Sequence, residues 1–447
     1  MKNALFLQEI LTSQGYKTLA AGGFVRDTLL KREPKDIDLA TTAKPQEILD
    51  ILDYNLIICI PTGLKHGTIT ALINRIPYEI TTLRVDKICK GREAEVEFVT
   101  SFEEDAKRRD LTINALFMDL KTKEVFDYVG GIQDLEDKKL RFVGDPEKRI
   151  QEDYLRLLRY FRFLSQLEFN EDKPSLQACE KYMPFLVYLS SERIRDELLK
   201  MIVGTGVQNV FNKHKYMVTS ILPELIPILS CTQNCQYHFT SVLEHTLYGL
   251  DYLSKYKNPI LSLAHLLHDV AKPFCKTTDE NNNDHFYGHE IEGESVADRI
   301  CQRLKLSTKD TNKIKFYVRN HMRLHNDLSK KALRRLVNDT SVFEDKENTL
   351  KELYLIYEAD LSGMNKSLEV LPFSKIEEML KEEPKSFESP LSGKEIMEHF
   401  SLKEGKMVGT IKDFLKEKVI EGSLEKDDKI KSLELIDFYF NINKGTV

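Results

Sequence analysis

The sequence predicts an α+β protein, with a mixed α/β segment at the N-terminus followed by helices almost to the end. Over about the first 140 residues, short β-rich runs (KTLAAGG, DIDLAT, NLIICI, GTITALI, YEITTLRV, VEFV, EVFDYV) alternate with helical patterns such as VRDTLLKR and PQEILDILD. After about Asp145 the strand signal disappears. From QEDYLRLLRYFRFLSQL onward apolar residues recur at helical spacing, broken at Pro146, Pro174, Pro184, Pro223 and Pro227. The polar run TTDENNNDHF marks an excursion inside this second part, and the last 70 or so residues, rich in Lys and Glu, read as a helical tail.

A chain of 447 residues, 41% apolar and 30% charged, supports two or three domains with separate cores. No apolar run reaches the roughly 18 residues of a membrane span, and the N-terminus MKNALFLQEILTSQGYK carries Glu9 where a signal peptide needs a longer apolar stretch. A cytoplasmic location and no membrane partner are therefore expected. The seven cysteines, Cys59, Cys89, Cys179, Cys231, Cys235, Cys275 and Cys301, lack paired zinc-ligand spacing and read as reduced thiols. Net charge is −6, with 65 basic against 71 acidic residues, so the chain as a whole lacks the basic signature of many nucleic-acid binders. A local stripe can still steer phosphates, because salt screens exposed charges beyond roughly 10 Å. Lys148, Arg149, Arg156, Arg159 and Arg162, on one predicted helix, form such a stripe.

GGFVRDTLL followed by KDIDLATT is the first chemical signal. Side chains alternate along a strand, so Asp36 and Asp38 are expected on one face, about 7 Å apart, with Ile37 and Leu39 on the other. Two such carboxylates can share Mg²⁺, activate a 3′-hydroxyl and stabilise a pentavalent phosphorus; Glu79 in YEITTLR can add a third. Standing alone, a DxD pair is more often a solvated turn or a cap; GG, Arg26 and DxD within 17 residues of one another are a stronger signal. Gly22 and Gly23, between a strand and a helix bearing Arg26, let backbone N–H groups approach a triphosphate closely. RRDLTINALFMD offers Arg109, Asp110 and Asn114 for phosphate and ribose hydroxyls, or a capping Asp beside solvated arginines.

RIQEDYLRLLRYFRF says more. Glu152 and Arg156 lie four apart in the acid-first order, Asp153 lies three before Arg156, and Ile150, Leu157, Leu158 and Phe161 supply a core side. A carboxylate acceptor beside a guanidinium fork complements a base that presents an exocyclic amine next to an unprotonated ring nitrogen. Cytosine and adenine present that pattern; uracil and guanine do not. Arg159 and Arg162 continue the run toward a triphosphate. The bland alternative is an amphipathic helix with salt-bridged surface arginines.

GGFVRD, DIDLAT, HGTIT, EITTLR, RRDLTINA, RIQEDYLRLLRYFRF and SERIRDEL occur in the order that resembles the class II tRNA nucleotidyltransferases, which include CCA-adding enzymes and bacterial poly(A) polymerases. The resemblance spans about residues 18 to 200. It implies a nucleotidyltransferase head, a neck, a body and a tail, with tRNA, CTP and ATP as partners. It also implies Mg²⁺ at Asp36 and Asp38, nucleotide contacts at Gly23, Arg26, Arg109, Arg159 and Arg162, and base selection by Asp153 and Arg156. One segment departs from the family: where relatives usually carry DGRH, this chain reads CKGREAE, keeping Gly91 and Arg92. Addition of CCA is the expected activity, with CC-only addition, A-only addition or poly(A) synthesis as alternatives.

Of eleven histidines, His238, His245, His265, His268, His285, His289, His321 and His325 fall between residues 230 and 330. LEHTL, LLHDVAKP, FYGHEIEG, RNHM and EADLSG together resemble the HD phosphohydrolase superfamily. That resemblance implies a ligand set of His245, His268, Asp269, His289, His321 and Asp360 on successive helices. Imidazoles with carboxylates suit Mn²⁺, Ni²⁺, Fe²⁺ or Zn²⁺, a bridging Asp269 allows two ions, and Lys272 is placed to bind a phosphate. Repair of damaged RNA 3′ ends is the implied activity. The expected division is 1–140 head, 141–215 neck, 216–375 HD-type domain and 376–447 tail.

Overall fold

The computed structural model describes residues 1–34, 36–90, 93–234, 240–325, 328–364, 371–381 and 387–440, without the side chains of residues 62, 86–90, 93–95 and 380. Gly91, Arg92, Cys235 and His238 lie outside the described residues, as does the side chain of Cys89. Two compact units form, one of residues 1–226 with 254–259 and 300–306, the other of 227–253, 260–299 and 307–447.

Among the described residues of the first unit, the first nine of eleven strands are β1 Thr18–Ala21, β2 Asp38–Thr41, β3 Ile58–Gly63, β4 Thr68–Ile73, β5 Ile76–Thr82, β6 Arg84–Lys90, β7 Glu93–Phe98, β8 Phe117–Met118 and β9 Val125–Phe126. Seven make one mixed sheet in the order β3-β4-β5-β2-β1-β8-β9, while β6 and β7 pair separately. Only β2 and β5 run parallel; the remaining neighbours are antiparallel. β1 is buried along its whole length, as a central strand covered on both faces must be. β5 alternates, with Tyr78, Ile80 and Thr82 buried and Glu79 open. A core of Leu19, Ala40, Leu83, Phe102, Phe117 and neighbours fixes the sheet under the helix Phe102–Arg108. The expected α+β class, a mixed-sheet head followed by helices, is what forms.

Three expectations need correction. β2 begins at Asp38, so Asp36 precedes the strand rather than sharing its face. The stripe from Lys148 to Arg162 is two helices, Pro146–Glu152 and Leu155–Leu167. The break has a local cause. Asp153 is extended (φ −156°), its carboxylate accepts the N–H of Leu155 at 3.1 Å, and its carbonyl accepts that of Arg156 at 3.0 Å, so it behaves as a helix start. Asp145, followed by Pro146, starts the preceding helix in the same manner. Finally, strand pairing does not end at Asp145: two-residue pairs form at Lys139–Leu140 with Asn170–Glu171, and the loop TTDENNNDHF is a hairpin pairing Thr277–Thr278 with Asp284–His285.

Among its described residues the second unit is helical apart from that hairpin, and its last four helices are Phe373–Lys381, Gly393–Phe400, Lys406–Glu421 and Lys429–Phe440. Ile396, Ile411, Leu415 and Ile436 are the core of the last three. No helix among the described residues is long and apolar enough to cross a membrane. Cys59, Cys179, Cys231 and Cys275 are free thiols among the described residues.

Candidate active site and metal centre

A cavity of about 1110 Å³ in the first unit gathers Asp36, Asp38 and Glu79 with Gly22, Gly23 and Arg26. Arg109, Asp110, Asn114, Asp153, Arg156, Arg159 and Arg162 line the same cavity, whereas Lys148, Arg149 and Glu152 are not among its lining residues. Register explains the acidic end. Leu39 pairs with Ile80 across the parallel β2–β5 contact, which sets Asp38 and Glu79, one residue earlier on each strand, side by side. Desolvation by the cavity walls, then Glu79 and Asp36, push Asp38 up to about 6 against the pull of Arg109. Three carboxylates that repel one another suit a hard divalent cation, so Asp36, Asp38 and Glu79 fit Mg²⁺.

Gly22 carries a φ of +68°, which the turn reserves for glycine, and a Cβ there would stand 3.2 Å from Arg109 Nη1, close enough to press on that guanidinium. It leads into the helix Gly23–Leu29, whose Arg26 donates to Asn114 Oδ1 at 2.7 Å and to Asp27. Arg109 donates to Asp105 Oδ2 at 3.0 Å and to the Asn114 carbonyl. Arg159 donates to Asp110 Oδ2 at 2.6 Å, and that guanidinium, with the Leu111 N–H, outweighs burial and holds Asp110 at about 2. Arg162 is buried on Glu197 at 3.0 Å; burial and the neighbouring Arg159 bring it down to about 10. Arg26, Arg159 and Arg162 all stand over the ring of Phe163, at 5.0, 5.7 and 4.2 Å. Each arginine is thereby pinned by an acid or a ring before any phosphate arrives.

The base-reading residues have separate partners: Arg156 donates to Glu152, the acid-first contact expected from their spacing, and to the carbonyls of Arg149 and Arg108, while Arg193 donates to Asp153 Oδ2 at 2.5 Å. Arg193 and Glu197, four apart on the helix Ser191–Met201, were missed as site residues. Their motif, SERIRDEL, carried the signal: helical spacing puts them on one face, where they take Asp153 and Arg162 respectively. Asp105 was missed as well, although EEDAKRRD sets it three and four residues before Arg108 and Arg109.

In the second unit the six HD-type positions converge. His245, His268 and Asp269 form one group able to hold an ion, and Asp269, His289 and His321 form another, so Asp269 is common to both. Asp360 joins the first group, its Oδ1 lying 2.6 Å from His245 Nε2 and 3.4 Å from His268 Nε2. His268, His289 and His321 each set Nδ1 on a backbone carbonyl, of His265, Phe286 and Val318, at 2.6 to 2.8 Å. A ring that donates from Nδ1 presents its Nε2 lone pair inward, the tautomer a transition metal needs, so the residues fit such an ion. Burial would raise Asp269 and Asp360, yet His268 with Lys272, and His325 with His245, hold them well below the usual carboxylate range. Lys272 is buried and donates to Gln233 Oε1 at 2.7 Å while standing 2.6 Å from Asp269 Oδ2, so it serves the cluster itself. Two glycines make room: a Cβ on Gly363 would stand 2.5 Å from His245 Nδ1, and one on Gly249 would stand 1.9 Å from His265 Nε2.

The Poly A polymerase head domain family matches residues 18–141, and the HD domain family matches residues 239–363. The chain is 44% identical over 210 residues to the CCA tRNA nucleotidyltransferase 1, mitochondrial, of Homo sapiens, covering 46% of this chain and 48% of that protein. It thus spans about half the length of that relative and of its Danio rerio counterpart. With the CCA-adding enzyme of Ligilactobacillus salivarius it is 31% identical over 438 residues, 96% of this chain and 94% of that one. Among solved structures, the Bacillus stearothermophilus CCA-adding enzyme in complex with CTP has the same fold, with a TM-score of 0.73, 23% identity and 98% of each chain covered. A match of that length over a whole relative, on a head and cavity of this kind, shows that the chain belongs to the CCA-adding enzyme family.

Proposed function

We propose that this chain extends RNA 3′ ends without a nucleic-acid template, adding C, C and A to tRNA from CTP and ATP. The observation that carries the reading is the single cavity in which the carboxylate trio, the glycine turn with its arginines, and Asp153 with Arg156 all meet. The names of the relatives point the same way, and solved neighbours with this fold are described with CTP, with ATP and with tRNA. The terminal 3′-hydroxyl loses its proton and attacks the α-phosphorus, and pyrophosphate leaves. Mg²⁺ bound at Asp36 and Asp38, with Glu79 beside them, supplies activation of that hydroxyl and neutralisation of the leaving charge. Gly23 lets the backbone approach the triphosphate, Arg26, Arg109, Arg159 and Arg162 hold it, and Asp110 and Asn114 keep those arginines in place. Asp153 accepts from the exocyclic amine of C or A and Arg156 donates to the ring nitrogen.

We further propose the division 1–140 head, 141–215 neck, 216–375 HD-type domain and 376–447 tail, and a reducing compartment, which we take to be the cytoplasm, for the free thiols. The histidine cluster supports a second activity, hydrolysis of 2′,3′-cyclic or terminal phosphates on RNA 3′ ends, with Mn²⁺, Ni²⁺, Fe²⁺ or Zn²⁺ at His245, His268, Asp269, His289, His321 and Asp360. The test of the first reading is a product ladder. tRNA transcripts ending before CCA, after C and after CC are each given one labelled nucleotide. CTP should extend the first two and ATP only the third; ATP extending all three indicates poly(A) synthesis, and a missing C or A step indicates partial addition.

A further inference from the structure

Among the described residues, two histidines of this neighbourhood stand outside both groups able to hold an ion: His265, stacked on His268 with centroids 4.4 Å apart, and His325. His325 stands with Nε2 2.7 Å from Asp360 Oδ2, the oxygen opposite to the one that faces His245 and His268. Its ring is held edge-on by Tyr357, one helical turn before Asp360, with centroids 4.8 Å apart and planes at 73°. It lies four residues after His321, at the end of the turn His321–Leu324 that carries a member of the other group.

We propose that His325 is an outer positioning residue of the histidine–aspartate centre, fixing Asp360 so that Oδ1 faces the ion subsite of His245 and His268. The inference rests on reading the cluster as a metal centre. A carboxylate free to rotate about its Cβ–Cγ bond presents either oxygen; one whose second oxygen is held against an imidazole, as Oδ2 is at 2.7 Å from His325 Nε2, presents only the first. Outer partners of this kind typically carry about 10–100-fold of metal affinity. Because His325 sits one turn from His321, the segment that supplies a ligand to one subsite also holds a ligand of the other.

The full chain, stripped with a chelator, is dialysed against Ni²⁺ in the presence of excess Mg²⁺, which occupies the carboxylate site of the head. Bound Ni²⁺ is counted by mass spectrometry as free Ni²⁺ is varied. Wild type should take two ions per chain. His325→Ala should weaken one of them about 10–100-fold and leave the other unchanged, and His325→Gln, whose amide can still donate to Asp360, should recover most of the loss. Unchanged affinity in His325→Ala overturns the proposal. So does equal weakening in the Ala and Gln variants, which indicates a direct ligand, or loss of both ions in both variants. No Ni²⁺ on wild type at all rejects the metal-centre reading beneath it.

Discussion

The head cavity and the histidine cluster both gather acids for a cation, and they do so by opposite means. In the head, Asp36, Asp38 and Glu79 are open to the cavity and repel one another, and the compensating arginines are each pinned to a different acid. In the second unit the acids are buried among imidazoles and beside Lys272. The first arrangement suits a weakly held hard ion that arrives with a triphosphate and leaves with pyrophosphate. The second suits an ion that stays.

The largest effects should come from breaking one centre and leaving the other. Asp38→Ala should lower nucleotide incorporation by about a thousandfold or more, since a lost metal contact removes several kcal/mol of transition-state stabilisation. Its hydrolysis of 2′,3′-cyclic phosphates in Ni²⁺ or Mn²⁺ should be unchanged. His268→Ala should do the reverse. Incorporation and hydrolysis measured on both variants decide the matter: activities that fall together mean one centre serves both.

A smaller effect sharpens the same contrast through packing. Gly363→Ala places a methyl group 2.5 Å from His245 Nδ1, where neither ring nor backbone has room. Overpacking of this kind costs about 1–3 kcal/mol. The variant should lower the melting temperature and weaken Ni²⁺ binding while leaving incorporation by the head intact. Wild-type melting with wild-type Ni²⁺ affinity would show that the glycine is not what seats His245.

These contrasts also show what the sequence made legible. Side chains on regular elements were readable, because period fixes their face: Asp38 on β2, Glu79 on β5, and the histidines that open or end helices. The mixed-sheet head and the helical remainder followed from the same periodicities. What escaped was the behaviour of residues between elements. Asp153 was read as a position inside one helix; its preference for capping breaks that helix, its carboxylate accepting the Leu155 N–H. Its actual partner, Arg193, is 40 residues away, and such a pairing leaves no periodic trace. His325 escaped for a different reason: one further histidine on a histidine-rich segment gives no sign of whether it holds an ion or a neighbour.

That pairing gives the next effect in size. If Arg193 holds Asp153 toward the cavity, Arg193→Ala should lower kcat/KM for both CTP and ATP by about tenfold, the worth of one charge-assisted hydrogen bond. It should also narrow the preference over UTP and GTP. Arg193→Lys should restore part of the charge but not the fork geometry. Selectivity equal to wild type in the Ala variant would mean that Asp153 finds its orientation from the Leu155 N–H alone.

The smallest effect concerns protons, and here the two centres diverge most clearly. Asp38 sits at about 6, above the ordinary carboxylate value, so its charged form is disfavoured in the folded, ion-free protein. The sign follows by linkage: the group costs nothing only below the ordinary carboxylate value, and from there up to about 6 the ion-free head loses stability as pH rises, the loss being complete above 6. An added cation reverses this, because it binds only the charged form. The apparent affinity of the head for Mg²⁺ should therefore fall about tenfold for each pH unit below 6 and level off above it. Mg²⁺ titrations of CTP incorporation between pH 5 and 8 measure this directly, and Asp38→Asn should abolish the rise in ion-free melting temperature as pH falls through 6. A Mg²⁺ requirement that stays flat across pH 6 would show that Asp38 is already paired when the nucleotide binds, and the mutual repulsion of the three carboxylates would then not be what recruits the ion.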